Sequence, residues 1–193
     1  MKKLIAIVVG LILALSACSE NAKLDFKNTD VTGLTYASDF SLPDFNGQVR
    51  HLADFKGKLV VLFFGYTQCP DVCPTTMAEL ATVMQQLGPL SDQVQVIFIS
   101  LDPERDTPQL LAHYVPAFDK RFLGLVGSLA ATKKTADDFK IFYEKVPGKT
   151  PGSYTLDHSA GSYVFDKQGN VRLFVRFNQG TEPIVHDLKL LLK

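Results

Sequence analysis

Two cysteines four positions apart are the residues of this chain best suited to soft-metal or redox chemistry. Cys69 and Cys73 follow an apolar run at positions 59–64, and Pro74 stands where a helix can begin. Its missing N–H costs nothing in a first helical turn, so the spacing predicts two thiols at a strand-to-helix turn. A helix N-terminus favours negative charge and lowers the pKa of a nearby thiol, and the thiolate is the form that binds metals and attacks disulfides. Both chemistries are open to this pair.

A structural disulfide is the plainer interpretation of neighbouring cysteines in a protein outside the cytoplasm. However, a bridge between positions 69 and 73 would close a very short loop. The stabilisation that a disulfide gives to the folded chain grows with loop length, so this bridge would contribute little. The pair is also one residue more widely spaced than the redox Cys-x-x-Cys motif. We therefore expect a functional pair, either redox-active or metal-binding.

A metal site with two thiolates needs at least one further donor, and two sulfurs with one nitrogen suit copper, above all Cu(I). Four histidines are available. His51, His113 and His186 lie in an early hairpin and in two predicted helices, where a surface imidazole is the plainer interpretation. His158 follows a loop rich in Gly and Pro and directly precedes a predicted strand, so it is the best candidate. Its neighbour Asp157 either accepts a hydrogen bond from the ring N–H, which would set the tautomer, or serves only as a turn residue.

The elements that must position these residues alternate between strands and helices. Apolar runs at 58–64 and 94–101 predict strands buried on both faces, and helical spacing follows each of them, at 75–87 and at 108–118 with Thr107 as the N-cap. The remaining predictions are an early hairpin at 40–52, a short strand at 123–126, a helix at 128–143, a loop at 146–154, a strand hairpin at 162–177 and a helix at 182–192. This order predicts an α/β thioredoxin-like fold, with a mixed central sheet and helices on both faces. Ligands bind at the carboxyl ends of central strands in such sheets, and the first buried strand ends just before Cys69.

The first residues have the pattern of an export signal. Lys2 and Lys3 precede an apolar stretch at 4–15, which has the length of a signal-peptide core and is short for a membrane span. The run Leu-Ser-Ala-Cys at 15–18 resembles the lipobox of bacterial lipoproteins, which implies cleavage before Cys18 and lipid attachment to its sulfur. The alternative is an uncleaved anchor with a free Cys18. Both place the rest of the chain on the extracytoplasmic face of the cell membrane.

Together with the composition, these patterns divide the chain into three parts. We expect a signal peptide at 1–17, a flexible membrane tether at 18–38 and one folded domain at 39–193. The chain has 193 residues, of which 46% are hydrophobic, and this suits a single globular domain. Lys plus Arg and Asp plus Glu both total 20, without a basic block, so we expect no nucleic-acid binding.

Three runs of the chain resemble the signature segments of the Sco/SenC/PrrC family. They read Tyr-Thr-Gln-Cys-Pro-Asp-Val-Cys-Pro at 66–74, Ser-Leu-Asp-Pro-Glu-Arg-Asp-Thr-Pro at 100–108 and Leu-Asp-His-Ser at 156–159. A fourth run, Gly-Leu-Val-Gly-Ser at 124–128, is a weaker match. The resemblance covers position 39 to the end and implies a membrane-tethered copper chaperone with a thioredoxin fold, which helps to assemble the dinuclear copper centre of cytochrome c oxidase. It also implies that Cys69, Cys73 and His158 bind the copper.

Two functions follow as expectations. The leading one is a lipid-anchored copper-binding protein, not an enzyme, that takes Cu(I) or Cu(II) from a copper donor protein and delivers it to cytochrome c oxidase subunit II. The alternative is a thiol:disulfide oxidoreductase in which Cys69 and Cys73 are the redox-active pair and His158 is dispensable. Beyond a turn and an ion pair of Arg105, the residues alone assign no role to the segment 102–106.

Overall fold

A six-stranded mixed sheet forms the centre of the protein, of which a computed structural model describes residues 24–193. The strands are β1 (Thr29–Asp30), β2 (Leu42–Pro43), β3 (Val49–Arg50), β4 (Leu59–Gly65), β5 (Val94–Ser100), β6 (Leu123–Leu125), β7 (Tyr143–Pro147), β8 (Tyr154–His158), β9 (Ser162–Phe165) and β10 (Val171–Val175). The order in the sheet is β1, β10, β9, β4, β5, β6. β4 runs parallel to β5 and β5 parallel to β6, whereas β9 runs antiparallel to β4, β10 to β9 and β1 to β10. β2 with β3 and β7 with β8 form two separate hairpins.

The central strands are buried on both faces, as their sequence predicts. All seven residues of β4 are buried, although successive side chains of a strand point to opposite faces. Both faces of the sheet are therefore covered. Val, Ile and Phe dominate β4 and β5, and these residue types pack well on a pleated surface. The predicted α/β, thioredoxin-like architecture is confirmed.

Four α-helices complete the described part of the chain: α1 (Val72–Leu87), α2 (Pro108–Tyr114), α3 (Leu129–Asp138) and α4 (Thr181–Leu192). Short 3-10 helices lie at Leu52–Phe55, Gly88–Gln93 and Val115–Ala117. The predicted N-cap of α2 is confirmed, because the Thr107 hydroxyl accepts a hydrogen bond from the Leu110 N–H at 3.2 Å. α1 and α4 pack against each other, and α4 buries Ile184 and Leu188 in the core.

The region between α3 and β9 differs from the prediction. The sequence predicts a helix up to position 143 and then a loop, whereas α3 ends at Asp138 and the hairpin of β7 and β8 follows. The left-handed backbone of Lys140, with φ of 56°, ends the helical path before Tyr143 is reached. The hairpin is predominantly exposed and lacks a strong apolar alternation, so its sequence carries a weak strand signal.

The folded domain also begins earlier than predicted. The sequence predicts a tether up to position 38, but β1 pairs with β10, and the backbone N–H groups of Lys27 and Asn28 donate to the buried carboxylate of Asp187. Side chains of the same segment pack against the core, namely Phe26, Val31, Leu34 and Tyr36. The predicted tether therefore has to be shortened at its carboxyl end. The predicted signal peptide and Cys18 lie outside the described residues.

Within residues 24–193, no helix combines the length and the apolar character that a membrane span requires.

Candidate metal centre

The two cysteines lie where the sequence places them, at the turn between the end of β4 and the start of α1. Cys69 lies in the turn and is partly buried, whereas Cys73 lies in the first turn of α1 and is fully buried. The backbone N–H of Cys73 donates to the sulfur of Cys69 at 3.4 Å. The helix begins at Val72, two residues before Pro74, so Pro74 occupies another first-turn position at which a missing N–H is tolerated. The helix N-terminus thus faces the Cys69 sulfur.

The structure brings the distant histidine to the same place. His158 is the last residue of β8, and its Nε2 lies 3.5 Å from the sulfur of Cys73. One ligand atom each from Cys69, Cys73 and His158 can be chosen so that all lie within 4.8 Å of one another. Among the described residues, this is the single group of three or more Cys, His, Asp or Glu side chains arranged to hold a metal ion. The other three histidines are not part of it.

A backbone hydrogen bond sets the tautomer of the His158 ring. Nδ1 lies 2.9 Å from the carbonyl oxygen of Ser159. A carbonyl oxygen can only accept, so Nδ1 carries the proton and the lone pair of Nε2 faces the thiols. The sequence offers Asp157 for this role, but the carbonyl of the next residue fills it. Asp157 is exposed and acts on the ring through its negative charge.

Burial disfavours the charged forms of the residues at this site. Burial lowers the pKa of His158 below its ordinary value, although the Ser159 carbonyl and the Asp157 charge oppose this effect. Two aromatic rings pack edge-on against the imidazole, with centroids 6.0 Å away for Tyr66 and 6.4 Å for Phe63. The imidazole is therefore neutral at neutral pH, which is the form that binds metal ions.

The Cys73 thiol is even more strongly affected. Burial raises its pKa far above the usual range, and a hydrogen bond from the backbone of Tyr66 only partly offsets this. Cys73 is thus a protonated thiol in the absence of a cation, and a bound cation would displace its proton. Two sulfurs and one neutral imidazole nitrogen form a soft set of donors, which fits Cu(I) or another thiophilic ion.

A feature that the sequence did not reveal is the support of the cysteine turn by the segment after β5. The carboxylate of Asp106 is buried and accepts hydrogen bonds from the Thr67 hydroxyl at 2.6 Å, from the Thr67 backbone at 3.1 Å and from the Ser100 hydroxyl at 2.6 Å. Since β4 and β5 are parallel neighbours, their carboxyl ends lie side by side, and Asp106 joins the two loops that leave them. The signal in the sequence was the run Asp-Pro-Glu-Arg-Asp at 102–106, whose polar residues directly follow a buried strand.

The site opens onto a groove with a volume of about 570 Å³, which runs between the cysteine turn and β8. Its walls include Cys69, Val72, Leu156 and His158, and the largely exposed ring of Phe142 lies at one side. The sulfur of Cys69 and the imidazole can therefore be reached from outside, whereas Cys73 lies beneath them.

Comparison with known proteins assigns this arrangement to a family. The SCO1/SenC family model matches residues 29–193. The chain belongs to the SCO1/SenC family. An SCO2-like protein of Rickettsia felis is 35% identical over 152 residues, which are 78% of this chain and 74% of the relative. The mitochondrial SCO2 homologue of Bos taurus is 41% identical over 133 residues, which are 68% of this chain but only 50% of that protein. The match starts at position 29, in agreement with the early start of the domain.

A solved structure of the SCO1/SenC family extends the comparison to metal binding. The copper-bound structure of Bradyrhizobium japonicum ScoI is 40% identical in sequence and superposes with a TM-score of 0.72. The superposition covers 79% of this chain and 97% of the other. A relative with this fold therefore binds copper.

Proposed function

We propose that this protein is a copper-binding chaperone that delivers copper for the assembly of cytochrome c oxidase. The Sco family is one of cytochrome c oxidase assembly proteins, its members include structures solved with copper bound, and this chain belongs to it. The observation that carries the proposal is the convergence of Cys69, Cys73 and His158 within 4.8 Å, although His158 lies 85 positions after Cys73 along the chain. The copper is cargo, and the recipient in this proposal is the dinuclear centre of oxidase subunit II.

The proposal extends to where the protein acts. A lipid anchor on Cys18 would hold the domain at the extracytoplasmic face of the cell membrane, where it would receive copper from a donor protein. The lipobox-like run at 15–18 supports this location. In this role the protein is a carrier without turnover, and not an enzyme.

The burial of Cys73 favours metal binding at this sulfur. The thiolate is the form that attacks disulfides, and burial holds Cys73 in the thiol form. Cation binding supplies the positive charge that the buried sulfur lacks, and it releases the proton. The neutral imidazole with Nε2 directed at Cys73 adds a donor that thiol exchange does not need.

Titration with Cu(I) tests the proposal. Reduced protein is titrated in competition with a chromophoric Cu(I) chelator, and Cys69→Ser, Cys73→Ser and His158→Ala are compared with wild type. We expect one copper per chain and an affinity at least about tenfold lower in each variant, since even residues behind the ligands typically contribute that much. His113→Ala removes an exposed histidine of α2 and is the matched control.

The outcome separates the two functions. Affinity that stays at the wild-type level in both His158→Ala and Cys69→Ser would disprove the copper site. Rapid reduction of a partner disulfide by His158→Ala, at the wild-type rate, would instead indicate a thiol:disulfide oxidoreductase.

A further inference from the structure

The hairpin that carries His158 is separate from the central sheet. β7 pairs with β8 in a two-stranded sheet of their own, and neither is a strand of the six-stranded sheet. The cysteine turn, in contrast, directly continues β4 at the centre of that sheet. The distance between the imidazole and the thiols therefore depends on contacts that join the hairpin to the rest of the domain.

Arg105 makes such a contact from the loop that follows β5. Its Nη1 donates to the carbonyl oxygen of Tyr154 at 2.9 Å and to the Oε1 of Gln68 at 3.2 Å. Tyr154 is the first residue of β8 and Gln68 directly precedes Cys69, so one nitrogen joins both ligand-bearing segments. The guanidinium carbon also lies 3.6 Å from the centroid of the Tyr154 ring, in stacking contact.

Asp102 closes this arrangement. One of its carboxylate oxygens accepts from the Arg105 Nε, and the other accepts from the Tyr154 hydroxyl at 2.8 Å. Asp102 is almost fully buried, and its own N–H donates to the hydroxyl of Ser100, the last residue of β5. The cluster is thus fixed to a central strand of the sheet. An outer ion pair between Glu104 and Lys145 joins the same loop to β7.

We propose that Asp102, Arg105 and Tyr154, here called the hairpin clamp, are positioning residues that hold the His158 imidazole over the two thiols. The clamp binds no ion itself and acts through His158. The proposal deepens the proposed function, because it assigns part of the copper affinity to residues outside the ligand set. It also gives the run at 102–106 a role that the ligand set does not require.

The chemistry of the arginine side chain explains why this residue type is needed. A guanidinium is planar, so it can stack on the Tyr154 ring while its edge donates to Asp102 and to the Tyr154 carbonyl at the same time. A lysine keeps the positive charge but presents one ammonium group without a plane or a fork. Arg105→Lys therefore removes the geometry of the clamp and retains its charge.

The test is a double-mutant cycle between Arg105→Lys and His158→Ala, read as Cu(I) affinity against a competing chelator. If the clamp acts through His158, Arg105→Lys weakens binding about 10- to 100-fold in the wild-type background. In the His158→Ala background the same change has an effect within about twofold. X-ray absorption of the Cu(I)-loaded Arg105→Lys protein is expected to show two sulfur donors with a weakened nitrogen contribution.

Two further variants complete the test, one as a control outside the hairpin clamp and one as a milder change within it. Arg172→Lys changes an arginine of β10 that pairs with the carboxylate of Asp166. Its burial is similar, with 24% of the side chain exposed against 19% for Arg105. It should leave Cu(I) affinity unchanged. Tyr154→Phe removes only the hydroxyl bond to Asp102 and should give a smaller loss in the same direction as Arg105→Lys.

Hydrogen exchange of the metal-free protein decides the proposal independently of copper. Arg105→Lys should speed amide exchange in β7 and β8 at least about tenfold relative to Arg172→Lys, with β4 and β5 unchanged. Unchanged hairpin exchange, or an equal loss of Cu(I) affinity in both backgrounds, overturns the hairpin clamp. If the wild type binds no Cu(I), the proposed function fails, and the exchange result still accepts or rejects the clamp.

Discussion

Gly65 is the position at which a single added methyl group should separate the stability of the fold from the function of the metal centre. It is the last residue of β4 and lies beneath the cysteine turn. A Cβ at this position would lie 2.9 Å from the sulfur of Cys73, 2.9 Å from Cε2 of Phe98 and 3.0 Å from Cε1 of Phe63. Non-bonded carbon atoms pack best at roughly 3.5–4.0 Å, and sulfur is larger than carbon, so the sulfur would be displaced by roughly 0.6 Å or more.

This displacement has two consequences of different size. Overpacking a close-packed core costs about 1–3 kcal/mol, which should lower the melting temperature of a domain of this size by roughly 2–12 °C. Metal-ligand distances, however, tolerate deviations of only about 0.2 Å. A sulfur displaced by several times that amount can no longer share an ion with His158 Nε2, now 3.5 Å away, without movement of the hairpin. We therefore expect Gly65→Ala to remain folded and to bind Cu(I) at least about tenfold more weakly.

Thermal unfolding and Cu(I) competition on the same preparations measure both effects. Gly124→Ala is the matched control, because the atoms nearest to its added Cβ belong to core side chains without a thiol, Val115 at 3.0 Å and Leu111 at 3.1 Å. It should lower the melting temperature without a change in affinity. Wild-type affinity in Gly65→Ala, or an equal loss of affinity in Gly124→Ala, would refute the reasoning.

Three further predictions concern the pH response and the stability of the domain. Burial lowers the pKa of His158, so protonation of the ring opposes folding. The free energy of unfolding of the metal-free protein should therefore rise with pH up to about 6.5. Denaturant titrations of His158→Gln should show a smaller rise. Asp187→Ala should lower the free energy of unfolding by roughly 1–3 kcal/mol, because it leaves the buried backbone N–H of Asn28 and the partly buried one of Lys27 without an acceptor. Urea denaturation beside Asp92→Ala, an exposed control, checks this. Thr107→Ala should cost about 1 kcal/mol through loss of the N-cap of α2, and a loss below about 0.3 kcal/mol in denaturant unfolding would contradict the capping role.

The parts of the fold that the sequence predicted are those with the strongest local patterns. β4 and β5 are predominantly apolar runs, and α1 repeats its apolar residues with helical spacing, so these patterns of buried residues were sufficient for both assignments. β7 and β8 were not predicted because their pairing is stabilised by contacts with other parts of the chain, such as the one between Lys145 and Glu104. β1 was missed for the same reason, since Asp187, more than 150 positions away, accepts the hydrogen bonds of the segment before it.

The ligand set was predicted from residue types and from the resemblance, but its supporting bonds were not. Nothing in the order Asp157, His158, Ser159 distinguishes a carboxylate acceptor from a backbone carbonyl, because both lie one residue from the ring. The orientation of the imidazole decides between them, and that orientation depends on the rings of Phe63 and Tyr66 from a different strand and turn.

In the proposed function as a copper carrier, one partly buried and one fully buried sulfur have different roles. Two thiolates, one neutral imidazole and Cu(I) leave a net charge of about −1, which the N-terminus of α1 beside Cys69 can offset. Cys73, at 0% exposure, can lose its proton only when a cation replaces it, so occupation of the buried position is coupled to proton release. Cys69 and His158 line the open groove, whereas Cys73 does not. In the proposed function, the donors of a recipient would therefore reach Cys69 and His158 first, and Cys73 would regain its proton when the copper leaves.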